Sequence, residues 1–343
     1  MRTTTDVAVV GGGIVGAAIA WRLAADGVSV TVVDPEPGRG ATHAAAGMLA
    51  PVTELHYGEE RLLRLNLASA ERYPDFVAAL GVDVGYRRTG TVVAAWDGAD
   101  LAALRDLADL HARLGLRSEM LTARELRGLE PSAAAGLPGG LYAADDHAVD
   151  PRRLHAALLN GANVVLQAVR SIESGAVTLA SGDSISAGTV VVAAGVRTTQ
   201  IPGVPPVTNL RPVKGQTLRL RADRPVLDHV LRGSVRGVPV YLVPREDGEV
   251  VVGASSEEAG YDERPRAGAV YDLLRDAQLM LPAVTEMELV EVSTGLRPAT
   301  PDNTPFIAAV EPGLVVATGH YRNGVLLAPV TADMVAELVM VHA

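Results

Sequence analysis

The residues best suited to chemistry stand near both ends of the chain. Gly11, Gly13 and Gly16 hold the G-x-G-x-x-G spacing within Asp6-Val7-Ala8-Val9-Val10-Gly11-Gly12-Gly13-Ile14-Val15-Gly16. Gly11 would turn the chain, Gly13 would let backbone approach a pyrophosphate, and Gly16 would let helix and strand pack closely. The free N–H groups and positive dipole end of the following helix then face the phosphates. Asp34, about 20 residues on, offers a carboxylate to an adenosine ribose. FAD and NAD both carry that ADP moiety, so either fits these residues, whereas Asp34 would repel the 2′-phosphate of NADP. Far along the chain, Arg297 sits in Thr294-Gly295-Leu296-Arg297-Pro298. A planar guanidinium at that strand end can clamp a carboxylate through two parallel hydrogen bonds. Further on, Gly319-His320-Tyr321-Arg322-Asn323-Gly324 reads as a turn between a buried strand and a helix, whose N-terminus can stabilise developing negative charge.

These groups need a frame. The β-branched run before Gly11 predicts a buried parallel strand, Ala17 to Ala25 a helix, and Val28 to Val33 a second parallel strand. Residues 39 to 51 form a small-residue loop leading into a short helix, able to approach a flat ligand closely. Helical spacing covers 59 to 80, and Tyr86 to Trp96 alternates like a half-buried strand. Ala99 to Leu114 reads as an amphipathic helix, and Thr122-Ala-Arg-Glu125 as a capping box. Leu141 to Val149 is a linker-like strand, and Asp150-Pro151 starts a helix to Leu159. Strands follow at Asn163 to Val169 and Thr189 to Ala194. Between 211 and 294 the style changes to strands near Gly215–Leu220, Val238–Val243 and Glu249–Gly253, with one helix near Ala269 to Met280. That pattern predicts an antiparallel sheet. Strands at Phe306–Ala309 and Leu314–Val316 precede a closing helix from about Asn323 to Met340. The fold class is therefore α/β: a Rossmann-type doubly wound domain from 1–80, 145–210 and 295–343. An antiparallel sheet with helices, from 81–144 and 211–294, is interleaved with it as a substrate domain.

The bulk properties exclude several classes. At 343 residues and 48% hydrophobic, the chain can bury a substantial core, yet its apolar runs are too short to span a bilayer. The first strand begins almost at once, leaving no room for a signal peptide, so a soluble cytoplasmic protein is expected. A net charge of −10 argues against nucleic acid and anionic membranes as partners. The absence of cysteine removes disulfides, thiolate metal sites and cysteinyl cofactor linkages. The eight histidines show no H-x-x-x-H or H-E-x-x-H pairing, and no metal site is expected.

Six segments recur in an order that carries a resemblance: Gly11-Gly-Gly-Ile-Val-Gly16, Ala44-Ala-Ala-Gly47-Met48-Leu49, Arg211-Pro-Val-Lys214-Gly215, Val240-Tyr241-Leu-Val-Pro244-Arg245, Gly295-Leu-Arg297-Pro298 and Gly319-His-Tyr-Arg322-Asn323-Gly324. Over essentially its whole length the chain resembles the D-amino-acid oxidase superfamily of flavoproteins, most closely the glycine oxidases of thiamine biosynthesis. The resemblance implies FAD bound without a covalent link. It implies that Ile14, Val15, Asp34, Thr42, His43, Ala46, Gly47, Met48, the backbone of Val169, and Gly195 surround the cofactor with the glycines. His320, Tyr321, Arg322, Asn323, Gly324, Val325 and Leu326 would lie around the flavin ring. His43 and Ala308 depart from the pattern, since relatives usually carry a small hydroxyl or neutral residue at the first position and glycine at the second.

The resemblance also implies a chemistry. Arg297 binds the substrate carboxylate, Tyr241 adds its hydroxyl, Met48 borders the substrate, and Arg322 touches substrate or shapes the flavin loop. The α-hydrogen leaves as hydride to flavin N5 without a side-chain acid or base, and oxygen takes the electrons as hydrogen peroxide. The expected substrate is glycine, sarcosine or D-alanine, and the imine product goes to the keto acid and ammonia or to thiazole synthase as a partner. A homo-oligomer is the expected assembly. Broader D-amino-acid oxidases, quinone-linked dehydrogenases, NAD-dependent dehydrogenases and a flavin-binding structural subunit are the competing readings.

Overall fold

The computed structural model describes residues 2–173, 175–206 and 209–342. Its first sheet has the order Phe306–Glu311, Leu314–Thr318, Ser184–Val192, Arg2–Val10, Val30–Val33, Asn163–Val165. Four of the five pairings in this order are parallel, with Val7 opposite both Val30 and Thr189, Val190 opposite Leu314, and Thr31 opposite Asn163; Phe306–Glu311 joins antiparallel. Strand Arg2–Val10 needs its continuous apolar run because both faces are covered: Val7 and Val9 join one core cluster, Ala8 and Val10 another. Helices Ile14–Ala25, Glu60–Ala79 and Ala328–His342 cover the first of these faces through Ile19, Leu23, Tyr73, Phe76, Val335 and Val339.

The second sheet has the order Glu288–Ala299, Arg211–Arg221, Glu249–Gly253, Val238–Pro244, Val230–Val235, Thr91–Ala95, Gly139–Ala143, Glu119–Thr122. All its pairs are antiparallel except Val230–Val235 with Thr91–Ala95. That parallel pair departs from the sequence reading, and it exists because the chain leaves this sheet and returns to it after a long crossover. Helix Ala267–Met280 packs Leu273, Ala277 and Met280 onto Leu218, Leu231, Leu242 and Val252. Strand Glu288–Ala299 stays beside Arg211–Arg221 along its whole length, with one register shift between Arg219 and Leu220, so the polypeptide changes sheets only after Ala299.

Four elements are shorter or later than their sequence pattern. Tyr86–Trp96 pairs as a strand only from Thr91 to Ala95, because Gly90 takes a positive φ of 86°. Leu141–Val149 is broken at Ala143 by a turn before His147–Ala148. Asn163–Val169 stops at Val165, and Val169 opens a separate strand to Glu173. The closing helix begins at Ala328 rather than Asn323, with Tyr321–Asn323 forming a single 3₁₀ turn. Pro329 is the cause, since it has no N–H to give a carbonyl one turn back and fits only in a first helical turn. No helix among the described residues is long and apolar enough to cross a membrane.

Candidate active site

One cavity of about 850 Å³ runs between the two sheets. At one end it is lined by Gly11, Gly13, Ile14, Val15, Asp34, Glu36 and Thr42, and at the other by Met48, Tyr241, Arg297 and Arg322. Gly11 takes φ +104° at the strand end, where a methyl group would meet the Ala193 carbonyl. Gly13 is the N-cap of helix Ile14–Ala25 and supplies no side-chain cap, while the Ile14 N–H is bonded to Thr42 Oγ1 at 2.9 Å. Asp34 accepts the Gly12 N–H at 2.7 Å and the Glu36 N–H at 2.8 Å, leaving lone pairs free for hydroxyls. A side-chain-free helix start beside an anchored carboxylate fits the pyrophosphate and ribose of a dinucleotide.

The small-residue loop follows, and its backbone is held from behind. Arg152 donates to the His43 carbonyl at 3.0 Å, Thr217 to that of Ala44 at 2.9 Å, and Arg245 to that of Ala46 at 2.6 Å. The Val149 N–H donates to the Gly47 carbonyl at 2.9 Å. Gly47 takes φ +84°, and a side chain there would overlap the Val149 carbonyl. Donors on four of the five carbonyls from His43 to Gly47 hold a loop whose own side chains are mostly methyl groups. Burial lowers the Arg245 guanidinium to about 10, so it stays charged at neutral pH.

At the far end the second sheet supplies the charges. Val213 pairs with Arg297 and Gly215 with Gly295, which sets the Arg297 guanidinium diagonally over Gly215. Tyr241 lies opposite Gly253, whose missing side chain leaves room for the phenol. Burial pushes the Tyr241 phenol up, and Arg297 draws it back, so it remains a protonated donor. Arg297 donates to the Ser255 carbonyl at 3.2 Å and has no carboxylate partner among the described residues. The other arginines of this end are committed. Arg322 bonds Glu59 at 2.8 Å and lies 3.7 Å from Glu54, while Arg232 pairs with Glu54 at 3.0 Å. His320 is buried against Thr331 Oγ1 at 3.0 Å, and burial pushes its imidazole down to about 4, holding it neutral.

Most residues singled out in the sequence line this one cavity: Gly11, Gly13, Ile14, Val15, Asp34, Thr42, Ala46, Gly47, Met48, Val169, Gly195, Tyr241, Arg297, His320, Tyr321, Arg322, Gly324 and Val325. Gly16, His43, Asn323 and Leu326 do not. Gly16 packs the helix against the Gly11 carbonyl. His43 turns away to Glu291 at 2.9 Å and to Arg152. Asn323 is buried with its Nδ2 unpartnered, and Leu326 belongs to the apolar core. Arg232, Glu54 and His56 line the cavity without having been singled out. Arg232 lies on a short strand and Glu54 in a turn, where nothing in the local pattern separates them from surface charges.

Comparison with known proteins gives a consistent result. A family model described as DAO, FAD dependent oxidoreductase, matches residues 6–338. The chain is 34% identical over 359 residues to the bifunctional protein ThiO/ThiG of Synechocystis sp., covering 99% of this chain and 52% of that protein. It is 33% identical to the glycine oxidase of Bacillus licheniformis, covering 99% of this chain and 94% of that one. The crystal structure of glycine oxidase from Geobacillus kaustophilus superposes with a TM-score of 0.91 at 31% identity, over 99% of this chain and 96% of that chain. The chain thus spans about half the length of the ThiO/ThiG relative and nearly all of the glycine oxidases.

Proposed function

This chain belongs to the DAO family of FAD-dependent oxidoreductases, and from that premise we propose that it oxidises glycine and comparably small amines at the Arg297 end of the cavity. The observation that carries the proposal is the Arg297 guanidinium: it faces the cavity, lacks an acidic partner among the described residues, and lies beside the Tyr241 hydroxyl. A cation so placed takes a carboxylate through two parallel hydrogen bonds, and the phenol adds a third donor. Glycine oxidase relatives that this chain covers almost end to end support glycine as the substrate.

Gly11, Gly13, Asp34 and Thr42 would hold the ADP half of FAD, and Ala46, Gly47, His320, Tyr321 and Gly324 the ring half. Bound FAD supplies a two-electron acceptor that oxygen regenerates with release of hydrogen peroxide. The chain's own part is orientation. Arg297 and Tyr241 fix the carboxylate, and Met48 fills space near the α-carbon. Glu54 is engaged by Arg232, and the burial that pushes the His320 imidazole down to about 4 makes it a weak base; the amine's own lone pair drives loss of the α-hydrogen. The imine product hydrolyses to glyoxylate and ammonia, or passes to thiazole synthase; the two-part name of the ThiO/ThiG relative supports such a partner.

The test is peroxide formation across glycine, sarcosine, D-alanine, D-valine and D-phenylalanine. A gap or clash of one methylene is worth about 1–3 kcal/mol, so rates should fall steeply after D-alanine. The purified protein should be yellow and release intact FAD on denaturation. Faster oxidation of D-phenylalanine than of glycine would sink the small-substrate reading.

A further inference from the structure

The wall beside Tyr241 carries charges that a carboxylate clamp does not by itself require. Glu54 and Arg232 both line the cavity there, with Glu54 Oε1 3.0 Å from Arg232 Nη2. A free carboxylate sharing a low-dielectric cavity with Arg297 would repel the substrate's own carboxylate. The pair with Arg232 offsets that charge, and Arg322 adds a second cation 3.7 Å from Glu54 Oε2.

What holds Arg232 lies outside the cavity. Its Nη1 donates to Thr53 Oγ1 at 3.1 Å. The Thr53 hydroxyl in turn donates to Asp146 Oδ2 at 2.5 Å. Asp146 is fully buried in the turn between strands Gly139–Ala143 and His147–Ala148, and also accepts the Val52 N–H at 2.9 Å and the Thr53 N–H at 3.0 Å. A hydroxyl has one proton and two lone pairs. An acceptor-only carboxylate takes that proton and turns the lone pairs toward Arg232.

We propose that Asp146 is a positioning residue for the oxidation described above: through the Thr53 hydroxyl it holds Arg232 against Glu54, and so keeps the Glu54 charge away from the substrate carboxylate. The inference rests on the reading of Arg297 as the carboxylate clamp. A carboxamide at the same place keeps the size, but in either orientation its NH2 is set against a backbone N–H, that of Val52 or that of Thr53, so the anchoring of Thr53 is weakened. It can accept the Val52 N–H only by presenting its own N–H to the Thr53 amide and hydroxyl.

The experiment uses the FAD-loaded protein and two readouts: kcat and KM for glycine, and Kd for glycolate read from the flavin absorbance. Asp146→Asn should raise KM and Kd about five- to tenfold, with kcat within about twofold and flavin content unchanged. Thr53→Val should do the same, while Thr53→Ser, which keeps the hydroxyl, should restore KM and Kd to within about twofold of the parent. Unchanged KM and Kd in Asp146→Asn or Thr53→Val would overturn the inference, as would a loss confined to kcat. If Asp146→Asn does not fold, the Thr53 pair decides alone. A parent protein that neither binds glycolate nor oxidises glycine removes the clamp reading itself, and this inference with it.

Discussion

Gly215 lies directly beneath the guanidinium of Arg297, with no room for a methyl group between them. The cross-strand register that pairs Val213 with Arg297 puts the two on one face of the sheet. A glycine inside an eleven-residue strand weakens it, so its presence marks a close approach. Gly215→Ala should therefore displace the guanidinium rather than unfold the sheet. The expected cost is about 1–3 kcal/mol in kcat/KM, carried by KM, as for overpacking elsewhere. Steady-state kinetics with glycine, next to an unchanged flavin spectrum, checks it.

Removing the guanidinium itself should cost more. Arg297→Ala loses a charged, hydrogen-bonded partner of the substrate, and about 2–4 kcal/mol of transition-state binding should go with it. Arg297→Lys keeps the charge but not the fork, so it should recover only part of that loss. Normal turnover of a carboxylate substrate by Arg297→Ala would make the clamp assignment wrong.

The nucleotide end of the site was legible in the sequence because its signals are local. Gly11, Gly13, Gly16 and Asp34 fall within one strand–turn–helix–strand unit, and each spacing has a mechanical reason. Arg297 stood out only as a guanidinium able to clamp a carboxylate, and its assignment to the substrate, like that of Tyr241, came through resemblance, since a lone arginine or tyrosine on a strand has no local signature. Arg232, Glu54 and Asp146 were invisible for a further reason. They meet through contacts between residues 93 and 179 apart in sequence, which only the assembled second sheet creates. The misplaced start of the closing helix had a local cause after all: Pro329 should have moved it from Asn323 to Ala328.

Pro329 also leaves the Val325 carbonyl without an N–H four residues on, and Tyr73 donates its hydroxyl to it at 2.5 Å, beside a longer bond from the Ala328 N–H at 3.3 Å. One turn away, the Ser69 hydroxyl donates to the Leu326 carbonyl at 2.6 Å and accepts the Val330 N–H. Helix Glu60–Ala79 thus caps the turn that lines the cavity through Tyr321, Arg322 and Gly324. Tyr73 is fully buried, and Tyr73→Phe removes the shorter of the two bonds to that carbonyl, leaving it only the Ala328 N–H at 3.3 Å. The expected destabilisation is about 0.5–1.5 kcal/mol, the net worth of one hydrogen bond. Urea unfolding would read it, with retention of the parent Cm ruling the capping role out.

Two buried groups should make stability respond to pH in opposite directions. His320 is pushed down to about 4 from an ordinary 6.5, so it stays neutral in the folded chain while the unfolded chain protonates. Its contribution is complete above pH 6.5 and lost as pH falls toward 4, by about 3 kcal/mol at 1.36 kcal/mol per unit. Asp146 is pushed up to about 6 from 3.8 by burial, only partly relieved by Thr53 and Val52. There the folded chain takes up the proton first, so acidification from 6 toward 3.8 adds stability of similar size, again about 3 kcal/mol. The parent protein should show these two slopes largely offset. His320→Gln removes the acid-labile slope, so relative to the parent it should gain stability as pH falls from 7 to 4.5. Asp146→Asn removes the opposing slope and should lose stability relative to the parent over the same range. Urea unfolding of the three proteins at matched, saturating FAD decides it, and parallel pH profiles would show that neither group is buried as the structure has it.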